Sequence, residues 1–194
     1  MARPSQNIDK KLIKLGKKKL MEHGISNISI RSICMESGIN LGMFHYYFKS
    51  KENFIKELFR SLSEELVASL LAEAAKLSTS EEKLKKILYM SARMMKEKRG
   101  LVETIMKDTN IFDKIYREIG KDFHDKWFNV YSVLIEECKK DGYIDKNIET
   151  DMIIPVLTGA VHFYAHNCEY SEYGDEKYYE NVYKMIDFVI EKIK

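Results

Sequence analysis

The segment that decides the fold reads SIRSICMESGINLGMFHYYFKSK and covers residues 29–51. Two short amphipathic stretches flank the tetrapeptide Ser-Gly-Ile-Asn at 37–40, and a glycine-containing turn of this kind between two helices is typical of the helix-turn-helix motif. The second helix of that motif enters the major groove of DNA. The segment therefore predicts that the protein acts by binding DNA, and no catalysis is required.

Residues with helix-capping side chains stand at the expected helix starts of this segment. Ser29 precedes a helix at about 30–37, Asn40 precedes the second helix of the motif, and Ser50 precedes a long helix at about 51–76. A lysine-rich helix over 7–23 comes before them, and Gly24 is placed to end it. Gly16 inside that helix indicates close packing against another helix.

Apolar residues at helical spacing supply a candidate core for this N-terminal module. Its members are Ile30, Ile33, Cys34, Phe44, Phe48 and, in part, Tyr46. We expect Tyr46 rather than Tyr47 to face the core, because Tyr46 lies two positions after Phe44 and two before Phe48. The sequence thus divides into a helix-turn-helix domain over residues 1–52 and a second helical domain over 53–194.

The rest of the chain has helical periodicity and no strand-like alternation, so the predicted class is all-α. Further helices are expected at about 81–98, 101–108, 113–140, 150–167 and 175–193. Ser78 with Glu81, and Thr79 with Glu82, have capping-box spacing ahead of the first of these. Pro155 is expected to bend the first turn of its helix or to delay its start.

Charge is distributed unevenly along the chain. Residues 1–60 hold twelve basic and five acidic side chains, a net +7, whereas 61–194 hold twenty basic and twenty-five acidic ones, a net −5. A basic end on an acidic body suits a protein that offers that end to a polyanion. A solvated lysine-rich helix face would produce the same asymmetry, so charge alone favours DNA only modestly.

Composition narrows the cellular setting and the class of protein. No run of 18 apolar residues exists, so no transmembrane span or membrane partner is expected, and the first residues lack the apolar core of a signal peptide. Cys34, Cys138 and Cys168 are odd in number and far apart, which suits a reducing cytoplasm. The sequence has no Gly-rich phosphate loop and no nucleophile elbow, so neither an enzyme nor a cofactor is predicted.

The run GMFHYYFKSKE at 42–52, after the glycine turn, resembles the DNA-binding domain of the TetR family of bacterial transcriptional regulators. The resemblance covers about residues 7–60. It implies groove-reading residues at Leu41, Gly42, Met43 and His45, with Arg31 approaching from the preceding helix. It implies phosphate contacts from Ser29, from Tyr46 or Tyr47, from Lys51, and from amide groups at helix N-termini.

Three of these positions depart from the pattern of the family. Leu41 stands where a polar or basic residue is frequent, Met43 where Thr or Ser is common, and His45 where Tyr is frequent. Leucine and methionine can press on a thymine methyl group but cannot read a hydrogen-bond pattern. We therefore expect a preference for A·T-rich operators.

The resemblance also implies that the second domain binds a small-molecule effector and dimerises. The expected protein is a repressor that binds a palindromic operator as a homodimer and is released by its effector. Candidate effector-binding residues are Met94, Met106, Trp127, Tyr131, His162, Tyr164 and His166. Candidate dimer residues on the last two helices are Gly159, Ala160, Tyr179, Tyr183, Ile186 and Ile190.

Two other functions remain open from the residues themselves. His162 and His166 are four apart on one helix face with Cys168 nearby, a spacing that can hold a metal but lacks the ligand count of a zinc site. A metal-responsive protein or a helical-bundle enzyme built on these histidines is one alternative. A helical dimer that regulates by protein contact without binding DNA is the other.

Overall fold

The computed structural model of the protein describes residues 7–25, 27–97, 112–167 and 175–194, except for the side chains of 112–116, 119, 162, 165–167 and 175. The described residues form helices and no strand, which confirms the all-α prediction. The helices are α1 (Ile8–His23), α2 (Ile30–Ser37), α3 (Leu41–Phe48), α4 (Lys51–Ala74), α5 (Ser80–Glu97), α6 (Phe112–Lys140), α7 (Thr150–Asn167) and α8 (Asp175–Lys192). The expected helix at 101–108 lies outside the described residues.

Capping bonds form where the sequence predicts helix starts. The side-chain oxygen of each cap residue accepts a hydrogen bond from the backbone N–H of the residue three positions later. The N···O distances are 3.3 Å for Ser32 to Ser29, 2.8 Å for Met43 to Asn40 and 3.1 Å for Asn53 to Ser50. Ahead of α5 the reciprocal pair forms between Thr79 and Glu82, with both N–H···O distances at 3.2 Å. Each cap satisfies an N–H that the helix itself leaves without a partner.

Proline does not delay α7. The helix begins at Thr150 and contains Pro155. Pro155 cannot donate to the carbonyl of Asp151, but Asp151 is exposed in the first turn, where water can bond that carbonyl instead. The predicted alternative of a late start is therefore wrong.

The chain divides into two compact units. The first is Met1–Leu66 with Gly100–Phe123, and the second is Val67–Arg99 with His124–Lys194. The core of the first unit continues past the predicted domain boundary at residue 52, because Phe54, Ile55 and Leu58 of α4 are buried within it. The continuous helix α4 thus begins in the first unit and ends in the second.

In the second unit α5, α7 and α8 pack on one another. The helices α7 and α8 run antiparallel, since Asn181 donates to the hydroxyl of Tyr164 at 2.8 Å and the N–H of Asp145 donates to the carbonyl of Ile193 at 2.9 Å. The buried hydroxyl of Tyr178 joins α8 to α5 by donating to the carbonyl of Ala92 at 3.2 Å. Within the described ranges, no helix is long and apolar enough to cross a membrane.

Helix α1 lies against α4 at a point where no side chain fits. A Cβ placed on Gly16 would stand 2.6 Å from Cζ of Phe54 and 2.7 Å from Cδ2 of Leu58. These separations are far below van der Waals contact, and both partners are fully buried. The expected close packing at Gly16 is confirmed.

Replacing Gly16 with alanine should therefore lower the free energy of unfolding by about 1–3 kcal/mol, the usual cost of overpacking a core. Urea denaturation of the whole chain measures the change. Gly120→Ala is the matched control, because a Cβ there meets no described atom within 4 Å and alanine is favoured over glycine inside a helix by about 0.5–1 kcal/mol. Equal effects at the two glycines would contradict the packing assigned to Gly16.

Candidate DNA-binding site

Helix α3 has one buried face and one exposed face. Phe44 and Phe48, four residues apart, are buried against Phe54 of α4. The opposite face consists of four exposed residues, namely Leu41, Gly42, His45 and Tyr46. Because side chains at i and i+4 lie on the same side of a helix, these four residues form one continuous surface. The structure thus brings together three of the five predicted groove-reading residues and one of the four predicted phosphate-binding residues.

Of the two adjacent tyrosines in α3, Tyr47 faces the core and Tyr46 faces outward, the reverse of the prediction. Tyr46 is 67% exposed, whereas Tyr47 is half-buried and packs against the core of the first unit. The prediction that Tyr46 faces the core is wrong, because spacing of two positions places a residue on the same face of a strand but on nearly opposite faces of a helix. Burial raises the pKa of the Tyr47 hydroxyl.

Leu41, Gly42 and Met43, in the first turn of α3, differ in their exposure to solvent. Leu41 is exposed, while Met43 is half-buried. A Cβ on Gly42 would stand 3.2 Å from the Oδ1 atom of Asn40, the atom that caps α3. Glycine at 42 therefore keeps the first turn of α3 uncrowded at the surface expected to approach DNA.

The remaining predicted contacts lie at the starts of α2 and α4. Ser29 and Arg31 are exposed, and Lys51 is half-buried as the first residue of α4. The Glu52 carboxylate accepts a hydrogen bond from its own backbone N–H and another from the Ser50 hydroxyl, and both lower its pKa. Because this anion already occupies the N-terminus of α4, the amides there are less open to phosphate than expected.

Contacts from α1 brace the turn between α2 and α3. The Lys11 ammonium donates to the carbonyl of Ser37 at 2.6 Å, and Lys19 pairs with Glu36 at 2.8 Å. The hydrogen bond from Lys19 holds the pKa of Glu36 below its usual value. These lysines were expected only as part of a basic helix face. Periodicity could not assign them, since the partners become neighbours only after the helices pack.

His45 makes a contact that sequence reasoning missed. Its Nδ1 atom lies 3.1 Å from the carbonyl oxygen of Lys49, the C-cap residue directly after α3. Lys49 has φ of 64°, the one positive value among the described non-glycine residues. The four-residue spacing of His45 and Lys49 was visible, but the backbone turn that aims this carbonyl at the ring was not.

The candidate effector residues in the second unit are mostly internal. Trp127 and Tyr131 are buried, while Met94 and Tyr164 are half-buried. The Tyr131 hydroxyl donates to Oγ of Ser91 at 3.3 Å, and burial raises its pKa to about 12. Met106 and the side chains of His162 and His166 lie outside the described part of the chain, so these assignments stay predictions.

The alternative of a metal site depends on His162, His166 and Cys168, whose side chains lie outside the described part of the chain. Among the described residues, no group of three or more His, Cys, Asp or Glu side chains could hold a metal ion. Because His162, His166 and Cys168 are not in that set, their role as ligands stays open.

The candidate dimer residues separate into internal and accessible ones. Ile186 and Ile190 are each 1% exposed and belong to the core of the second unit, so they cannot form an outer interface without rearrangement. Tyr183 is exposed at one edge but packs its ring against Tyr89 of α5, 4.2 Å between centroids. Gly159 is exposed, and a Cβ there meets nothing within 4 Å.

The braced turn, the capped helices and the exposed face of α3 define the chain as a helix-turn-helix protein of the DNA-binding class. Residues 12–58 match the family model described as bacterial regulatory proteins, tetR family. The N-terminal domain of the chain is therefore a DNA-binding domain of the tetR type, and the match covers about a quarter of the chain.

Known proteins resemble this chain both locally and over its length. The HTH-type transcriptional regulator BetI of Agrobacterium fabrum is 30% identical over 82 residues, which are 42% of this chain and 40% of that protein. The regulator FadR of Bacillus subtilis, solved with stearoyl-CoA, has a TM-score of 0.70 at 14% identity, with 95% of this chain and 99% of that chain covered. A TetR-family regulator of Mesorhizobium loti has a TM-score of 0.75 at 12% identity, covering 99% and 97%. These two likenesses show the fold.

Proposed function

We propose that this protein is a cytoplasmic repressor that binds a palindromic DNA operator as a homodimer and is released by a small-molecule effector. The observation that carries the proposal is the exposed face of α3, where Leu41, Gly42, His45 and Tyr46 stand together on the second helix of a helix-turn-helix. All four residues are exposed, so the face is open to a partner. The tetR-type match of residues 12–58 favours DNA as that partner.

Only part of the basic charge of α1 is available to DNA. Lys11 and Lys19 brace α2, and Lys17 pairs with Glu65 at 2.7 Å. We therefore assign the phosphate contacts to residues in or next to α3. Lys51 at the start of α4 and the exposed hydroxyl of Tyr46 supply a charged and a neutral contact of this kind.

Lys51→Ala should weaken binding to all DNA sequences alike and reduce the slope of log affinity against log salt by about 1, as expected for one lost phosphate contact. The measurement is fluorescence anisotropy with duplexes from the DNA that flanks the gene, at several salt concentrations. Lys146→Ala, an exposed lysine in the turn before α7, is the control. If the unaltered protein binds none of these duplexes at low salt, the proposed function is wrong.

A stripe of exposed apolar residues on α7 is the surface on which we place the dimer contact. Met152, Val156 and Phe163 are 62, 51 and 73% exposed, and Gly159 lies between the last two. Steps of four, three and four residues put them on one side of the helix. Phe188 of α8 is 60% exposed at about the level of Val156, because the two helices run antiparallel.

This stripe suits a twofold contact between identical helices. Exposed apolar groups in a continuous row are costly to leave in water, and glycine within the row lets a second helix approach closely. A twofold dimer would present two α3 helices to successive major grooves about 34–36 Å apart, which requires a palindromic operator. Buried Ile186 and Ile190 of α8 take no part in this contact, which uses the exposed residues of α7 and Phe188.

Val156→Asp should convert the dimer to a monomer and lower operator affinity by at least tenfold, since each half-site alone makes half of the contacts. Sedimentation velocity gives the mass, and anisotropy gives the affinity. Val133→Asp is the matched control, because Val133 is 52% exposed on α6 and lies outside the stripe. A dimer that survives Val156→Asp with full affinity would exclude this interface.

The effector is proposed to be an apolar or aromatic molecule that binds near Trp127 and Tyr131. Trp127 and Tyr131 are buried with their ring centroids 5.9 Å apart, and Met94 is half-buried on α5. Aromatic and thioether side chains of this kind suit an apolar ligand. The FadR protein of the same fold binds stearoyl-CoA, which favours a long-chain acyl compound among the candidates.

An effector of this kind should quench or shift the fluorescence of Trp127, the one tryptophan of the chain, and should lower operator affinity in the same concentration range. Stearoyl-CoA and benzoate are the first probes, and free coenzyme A is the control for the polar headgroup. A compound that changes the fluorescence without changing operator affinity is a ligand but not the effector.

A further inference from the structure

His45 reaches the exposed face of α3 with one of its ring nitrogens already engaged. Its Nδ1 atom lies 3.1 Å from the carbonyl oxygen of Lys49. A carbonyl oxygen can only accept a hydrogen bond, so Nδ1 must carry the hydrogen. In the neutral ring, Nε2 then has a lone pair and no hydrogen, and it is the ring's remaining polar atom.

Two hydrogen bonds between the same two residues hold this arrangement. The backbone N–H of Lys49 donates to the carbonyl of His45 at 3.1 Å, while the ring of His45 donates to the carbonyl of Lys49. Positive φ at Lys49 turns that carbonyl back toward the helix. The edge-on contact with the buried Phe44 ring, at 5.6 Å between centroids, limits the ring further. The side chain is therefore oriented before DNA binds.

Few groups on DNA can donate a hydrogen bond to the unprotonated Nε2 atom of His45. Phosphate oxygens, N7 and O6 of guanine, and O4 of thymine are all acceptors, so they cannot bond to Nε2. Only the amino groups of cytosine and adenine donate into the major groove. In the duplex the adenine amino group lies between two acceptors, its own N7 and O4 of the paired thymine, and both would repel the lone pair of Nε2. The cytosine amino group has one such neighbour, O6 of the paired guanine, and its other side is free of acceptors.

We propose that His45 selects cytosine at one position of each operator half-site, with the N4 amino group donating to Nε2. The inference rests on the proposed function and adds the identity of one base. The tyrosine frequent at this position in the family has a hydroxyl that both donates and accepts, so it can contact any of these groups. Histidine held in this tautomer accepts only, which narrows the choice.

The test is selection of bound duplexes from a random library, run at about pH 8 to favour the neutral form of imidazole. The full-length protein should enrich cytosine at one position per half-site, on the order of fivefold, as expected for one hydrogen bond. His45→Ala should lose the preference at that position and keep the others. His45→Arg should enrich guanine there, because arginine pairs with O6 and N7.

Outcomes of the selection separate the possible failures. A base other than cytosine at the position sensitive to His45→Ala, or an unchanged profile in that variant, overturns the role of His45 while leaving DNA binding intact. A purely structural role would weaken every position alike without changing any preference. His124→Ala, an exposed histidine on α6, should leave the profile unchanged. No enrichment by the unaltered protein overturns the proposed function and this inference with it.

Discussion

The orientation of α3 depends on one aromatic contact, in which Phe44 and Phe48 pack against Phe54 near the start of α4. The ring centroids of Phe44 and Phe48 lie 5.2 and 4.8 Å from that of Phe54, and all three rings are buried. Because Phe44 and Phe48 are four residues apart, they hold one side of a short helix inward, and the helical geometry turns the other side outward. The exposure of His45 and Tyr46 is a consequence of this contact rather than a separate feature.

Helix α1 also helps to fix the helix-turn-helix, because it packs against α4 and bonds to the C-terminal end of α2. Gly16 lets it lie directly against α4, and Lys11 and Lys19 then reach the far end of α2. The lysine-rich helix is therefore partly an internal brace, and the net charge of +7 over residues 1–60 overstates the charge that DNA would meet. Holding α2 at its C-terminal end also limits the turn that leads into α3, since the carbonyl of Ser37 is the acceptor for Lys11.

The second unit separates its apolar residues between two faces of α7. Ile153, Leu157 and Val161 are buried against α5 and α8, while Val156 and Phe163 point outward. A helix with apolar residues on both sides has one face satisfied within its own chain and one that is costly to leave in water. This exposed apolar face is the physical basis for the proposed twofold contact.

Local patterns determined which segments are helices and where they begin, because caps such as Ser29, Asn40 and the Thr79–Glu82 pair act within a single turn. The motif around residues 42–52 also indicated the family of the DNA-binding domain without any tertiary information. Tertiary structure alone decided which face of each helix is covered: it placed Tyr46 outside, Tyr47 half inside, and Ile186 and Ile190 in the core. It alone set the backbone turn at Lys49 that orients His45. Helix periodicity fixes which residues share a face, but which of two apolar faces is buried depends on neighbours distant in the chain.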